Sequence, residues 1–117
     1  MGGDAGKYLW DAKVAADRVA RFTKGRSFDD YRSDEMLRSA VERQFEIIGE
    51  ALSALRRVAP EMIEVIPDAA RIIAFRNVLI HQYAAVDDRL VWGVVEGKLP
   101  ALSATLDRLL RDAGMPT

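Results

Sequence analysis

One stretch of this sequence, Ala74-Phe75-Arg76-Asn77-Val78-Leu79-Ile80-His81-Gln82-Tyr83, combines a proton carrier with a strong anion binder. His81 is the sole histidine of the chain, and imidazole is the side chain best suited to taking up and giving a proton near neutral pH. The guanidinium of Arg76 stays charged and can stabilise the added negative charge of a pentacoordinate phosphate. If the stretch is helical, with Arg76 at 0°, about 100° per residue puts Asn77 near 100°, His81 near 140° and Tyr83 near −20°. Phe75, Val78 and Leu79 then occupy the opposite side, from about 200° to 300°. Arg, Asn, His and Tyr share a broad face, while the apolar residues hold the helix to the protein body. Asn77 and His81 are four residues apart, so the amide can touch and orient the imidazole. Arg76 and His81 are separated by roughly 7.5 Å along the axis, and both side chains are long enough to meet on one phosphodiester. Tyr83 beside them can bind a base or a phosphate, or be a target for modification.

The chemistry such a pair suits is cleavage of RNA, which brings its own nucleophile, the 2′-hydroxyl, and needs neither a metal nor a protein nucleophile. With no cysteine and one histidine, thiol nucleophiles, zinc–thiolate sites and multi-histidine metal sites within one chain are excluded. The competing reading of the same residues is a buried histidine hydrogen-bonded within a bundle, with Arg76 in an ordinary surface ion pair. Spacing alone leaves both open.

Four long helices must position this cluster, and no segment alternates as a strand. The first is expected from about Asp4 to Lys24, with Tyr8, Ala12, Ala15, Val19 and Phe22 on one stripe and Asp11, Lys13, Asp17, Arg18 and Arg21 largely outside it. Gly25 stops it, and Ser27 to Tyr31 forms a short turn, Ser27 capping with Asp30 three residues on. The second runs from about Asp34 to Val58, its stripe made of Leu37, Val41, Gln44, Ile48, Ala51, Leu55 and Val58, widened by Met36, Ala40, Ile47 and Leu52. Gly49 inside it costs about 1 kcal/mol relative to Ala, which close approach of another backbone would offset. Pro60 and Pro67 bracket a connector with room for a helical turn around Glu61 to Ile66. The third helix begins near Asp68 as cap and runs through Tyr83. The fourth begins near Asp87 or Asp88, with Val91, Val94, Leu99, Leu102, Leu106 and Leu109 inward and a kink or restart at Pro100. The result is a single domain over residues 1–117, an all-α antiparallel up-and-down bundle of four to five helices, with residues 1–6 as a flexible end.

The chain of 117 residues is long enough for one hydrophobic core. Its formal net charge of -1 argues against a general charge-driven nucleic-acid binder but not against a local basic cleft. Arginines outnumber lysines 13 to 4, and arginine is the better bidentate phosphate ligand. Codon bias in an Ala- and Arg-rich genome accounts for the same excess. There is no apolar run of membrane-spanning length and no signal-peptide core, so a cytoplasmic location is expected, with no membrane contact.

Arg76, four intervening residues, His81, Gln82 and Tyr83 reproduce the pattern R-x4-H-x-Y, which resembles the HepT-like toxin family of the HEPN domain superfamily. The likeness spans roughly residues 7 to 110. It includes Tyr8-Leu9-x-Asp11 in the opening helix and Gly25-Arg26-Ser27-Phe28-Asp29-Asp30-Tyr31 in the first connector. Ala40-Val41-x-Arg43 with Glu46-Ile47-Ile48-Gly49-Glu50-Ala51 matches the second helix, and Val91-Trp92 with Leu99-Pro100-x-Leu102 the closing ones. The bare R-x4-H spacing is weakly specific; the ordered set is strong. A departure is that Pro67 is followed by Asp68, where the family often has Pro-Trp.

The resemblance implies an HEPN-like homodimer in which two copies of the motif face a shared cleft and act as a metal-independent endoribonuclease without cofactors. Arg76 would stabilise phosphate charge, His81 would move protons and Asn77 would give polar support. The implied partner is an MNT-type nucleotidyltransferase, the antitoxin of a type II toxin–antitoxin pair. It neutralises by adding AMP to Tyr83, which places negative charge where RNA phosphate must sit. Two alternatives from other classes remain: a catalytically silent helical dimer serving as an interaction module for the nucleotidyltransferase, and a nucleotide-binding helper whose cluster grips a triphosphate. Gly49 is read as a helix-approach residue and Glu50 as half of an ion pair. Arg43 is equally a cleft or a solvated residue, and Trp10 and Trp92 are read as core or interface anchors.

Overall fold

Small apolar residues at three- and four-residue spacing let the first helix sink deeply into its neighbours. In α1 (Gly3–Thr23), Leu9, Ala12, Ala15, Ala16 and Val19 have no exposed surface. The computed structural model describes residues 3–81 and 86–114, and every regular element among them is a helix. Gly25 follows α1 with φ 74°, the left-handed turn that glycine adopts without steric cost. Ser27 and Asp30 then form the expected reciprocal cap of α2 (Phe28–Ser33): Asp30 N donates to Ser27 Oγ at 3.1 Å and Ser27 N to Asp30 Oδ2 at 2.9 Å. Asp34 starts α3 (Glu35–Val58) by accepting from Leu37 N at 3.0 Å.

The stripe of α3 is buried at Leu37, Val41, Gln44, Ile48, Ala51 and Leu55, but not at its ends. Met36 and Val58, expected to face inward, are 84% and 50% exposed. A helix of this length spans roughly 36 Å, close to the 42 Å long axis of the whole molecule. Its first and last turns therefore run out of neighbours. The five-residue α4 (Pro60–Glu64) fills the expected connector turn, with Pro in its first turn where no donor is needed.

The helix α5 (Ala69–His81) carries the chemical cluster, packs on α3, and buries Ile72, Ile73, Phe75 and Leu79. Phe75 meets Phe45 of α3 edge-to-face at 5.4 Å between ring centroids. Asp68 precedes α5 as expected, and its carbonyl accepts from Ile72 N at 3.0 Å. Its φ of 58° is not that of an ordinary cap. Its carboxylate pairs instead with Lys98 at 3.3 Å and Arg71 at 3.8 Å. The expected continuation through Tyr83 lies outside the described residues.

After Asp87, whose carboxylate accepts from Arg89 N at 2.9 Å, comes α6 (Asp88–Gly97). The chain breaks at Lys98 and restarts as α7 (Leu99–Asp112), with Pro100 in the first turn. A restart satisfies the ring, because the missing N–H falls where no intrahelical acceptor is lost. The four long helices of the sequence reading thus become seven helical segments among the described residues.

Lys13 departs from its expected place on the solvated side of α1. It is only 8% exposed, its ammonium hydrogen-bonded to Asp17 of α1 and 3.2 Å from Asp107 of α7. Because α1 packs against α7 as well as α3, its buried arc is wider than one stripe. The long lysine stem is covered while its charge finds two carboxylates.

Candidate active site

On α5 the expected division of faces is seen for most residues. Phe75 and Leu79 are buried, Arg76 is partly buried, and Asn77 and His81 are exposed. Val78 was expected to hold the helix down. It is only half-buried and lines an apolar groove of about 260 Å³ with Leu90 and Val94 of α6, on the side of α5 away from Arg76. Tyr83 and Gln82 lie outside the described residues.

Arg76 reaches its position by crossing α3. A Cβ built on Gly49 would lie 2.2 Å from Arg76 Cβ and 2.7 Å from its Cγ, so the arginine stem occupies the space a side chain would need. The expected close approach at Gly49 is therefore real, and the neighbour is the root of Arg76. Beyond the stem, Nη1 donates to Asn77 Oδ1 at 3.0 Å and Nη2 lies 3.9 Å from Glu50 Oε1. Nε is buried and has no partner among the described residues. The guanidinium is held from two sides and its side chain is 30% exposed, which leaves it within reach of an anion approaching from solvent.

Asn77 was expected to orient His81. Among the described hydrogen bonds its amide oxygen instead accepts from Arg76, one residue before it. The stronger attraction of a cationic donor for that oxygen accounts for the choice. His81 ends α5 and is exposed to solvent, its imidazole with no hydrogen bond among the described residues. The buried-histidine reading of the motif is thereby removed. The ion-pair half of that reading is present as the Arg76–Glu50 contact, which is long and partly solvated, a geometry worth about 0–1 kcal/mol. Such a weak partner yields readily to phosphate.

The surroundings are more acidic than a nucleic-acid groove usually is. A groove of about 190 Å³ beside Glu50 is lined by Tyr8, Asp11, Ile47, Glu50 and Ala51. Arg43 is exposed and lies 3.4 Å from Glu46 on the surface of α3. Glu42 on α3 is pushed up from the usual carboxylate range by burial, with Asp88 and Glu46 adding to it against Arg38. Trp92 is a core anchor as expected, 5.3 Å from the Tyr31 ring, whereas Trp10 is 39% exposed. Among the described residues no three His, Asp or Glu side chains converge in a way that could hold a metal ion.

What sequence reading missed here is the partnership. It singled out both Gly49 and Glu50 without saying that they meet Arg76. The available signal was their adjacency on the face of α3 next to its buried stripe, together with a glycine in the middle of a long helix.

Among the described residues the chain is an all-helical domain that ends one helix with an exposed histidine, five residues after an arginine braced against a neighbouring helix. The chain belongs to the HepT-like ribonuclease family, whose model, described as Ribonuclease HepT-like, matches residues 12–109. It is 35% identical to a protein of Thermococcus cleftensis named probable ribonuclease HepT, over 87% of this chain and 92% of that one. It is 31% identical to one of the RNase-named proteins of Methanocaldococcus jannaschii, over 89% of this chain and 94% of the relative. An RNase-named protein of Caldanaerobacter subterraneus is 34% identical over 88% of each chain. No solved structure matches the chain.

Proposed function

We propose that this protein is a metal-independent endoribonuclease, the toxin of a toxin–antitoxin pair. Its cleft is formed between two copies of the chain. The observation that carries the reading is the joint geometry of Arg76 and His81, one braced and one exposed on the same helix, in a chain whose relatives are named as ribonucleases. His81 removes the proton of an RNA 2′-hydroxyl, and the freed oxygen attacks the adjacent phosphorus. Arg76 stabilises the charge on the equatorial oxygens. The 5′-oxygen leaves with a proton from a second imidazole, and the products are a 2′,3′-cyclic phosphate and a 5′-hydroxyl. One histidine per chain cannot be base and acid in the same step, so two copies are required. Asn77 acts as the polar brace of Arg76.

Neutralisation is assigned to a nucleotidyltransferase of the MNT type that attaches AMP to Tyr83, bringing bulk and negative charge two residues from His81 in sequence. The cell compartment that fits RNA cleavage and such a partner is the cytoplasm.

Replacing His81 with Ala is expected to reduce RNA cleavage by about 100-fold or more. The folded state should persist, because the side chain is exposed. Labelled cellular RNA with end-group analysis measures this. Wild-type protein that leaves RNA intact, or H81A that cleaves at the wild-type rate, overturns the proposal. Growth arrest on expression that persists with H81A favours a silent interaction module instead.

A further inference from the structure

We propose that Gly49 is a positioning residue for Arg76, resting on the ribonuclease reading above: its missing side chain is what allows the guanidinium to stand where it does. Glycine weakens a helix interior, yet Gly49 sits in the middle of the 24-residue α3 and is buried. The cause is on the facing helix. A Cβ at position 49 would lie 2.2 Å from Arg76 Cβ, 2.7 Å from Cγ and 3.4 Å from Cδ. The first of these atoms is fixed by the backbone of α5, so no side-chain rotation relieves the overlap. Any larger residue must push or turn α5 relative to α3, and Arg76 moves with it.

The glycines of α6 make no such contact. Gly93 and Gly97, both in α6, have nothing within 4 Å of a built Cβ. The same seat fixes the head of the side chain. With the stem lying on Gly49, Nη1 meets Asn77, Nη2 faces Glu50 from the next position of α3, and Nε is enclosed without a partner. A side chain seated at its root on Gly49 and hydrogen-bonded to Asn77 at its tip loses little further freedom when phosphate displaces the weak Glu50 contact, which is the condition for strong stabilisation of a developing charge.

The experiment compares wild type with G49A and with G93A as the control for a glycine-to-alanine change in a helix. One arm is the 15N-edited spectrum of the arginine side chains, with the Arg76 Nε–Hε signal assigned by its absence in R76K. The enclosed Nε–H should exchange slowly with solvent in wild type and G93A, and should shift and exchange faster in G49A. The second arm is RNA cleavage kinetics, where kcat should fall about 10- to 100-fold in G49A, with KM changed by less than about threefold. A G49A protein with a wild-type Arg76 signal overturns the proposal, as does lost activity with that signal unchanged. Should G49A fail to fold, the double variant G49A/R76G decides. Removing the Cβ at 76 relieves the overlap, so it should melt at or above R76G alone, alanine being the better helix former, and failure to fold in that background overturns the proposal. Absence of cleavage by wild type removes the ribonuclease reading but leaves the spectroscopic and melting arms standing.

Discussion

Two side chains in this protein show how a single atom without a partner carries information. Arg76 Nε and Tyr31 Oη are both buried without a hydrogen-bond partner among the described residues. For Arg76 the orphaned donor belongs to a group held in place by Gly49, Asn77 and Glu50. For Tyr31 the hydroxyl lies at the end of a ring with no exposed surface that stacks on Trp92. Its phenol is pushed up beyond the ordinary tyrosine range first by burial, then by Glu42 and Asp88. Leaving a buried hydroxyl unpaired costs about 1–3 kcal/mol, whereas an apolar group of the same shape costs nothing there. Tyr31→Phe is therefore expected to be neutral or to stabilise by up to about 1 kcal/mol. Urea melts would show it, and a clear loss of stability would mean that the hydroxyl has a partner.

At the level of helices, the contacts that matter are α1 on α3, α3 on α5 and α1 on α7. The α1–α7 contact carries the buried charge of Lys13, between Asp17 and Asp107. Burial pulls the lysine pKa down, but the hydrogen bonds to the two carboxylates outweigh it, and the net direction is upward. A raised lysine pKa means that the folded state keeps its proton longer than the unfolded chain does. Its contribution is fully present below the ordinary lysine value of about 10.4 and is lost as pH rises through the raised one. The stability gap between wild type and K13M should hold at pH 9 and narrow toward pH 11. An unchanged gap would show that the lysine contributes through its stem alone. The local starts and stops of these helices are independent of such packing. Ser27–Asp30 and Asp34 cap within three residues of sequence.

The molecule as a whole is a thin slab of 42 × 29 × 19 Å, about two helices deep along its short axis. With a net charge of -1 it does not draw polyanions by its overall field. RNA affinity in the proposed function must come from the local cation at Arg76, doubled when a second copy completes the cleft. Specific activity should then fall on dilution below the concentration at which the dimer dissociates, in step with the sedimentation coefficient. Activity independent of concentration across that transition would place the whole site within one chain.

The sequence by itself determined the all-helical character, the stop at Gly25, the restart at Pro100, the capping box, and the placement of Arg76 and His81 on one helix. Each of these rests on contacts within a few residues along the chain, or on the 3.6-residue period that residue types record directly. Only the tertiary structure decided that Glu50 faces Arg76, that Gly49 is the bed of its stem, that Lys13 is covered by α7, and that Met36 and Val58 face water. Those outcomes depend on which helix lies opposite which and how far each runs past its neighbour, and a periodic pattern within one helix does not encode the identity of the residue facing it.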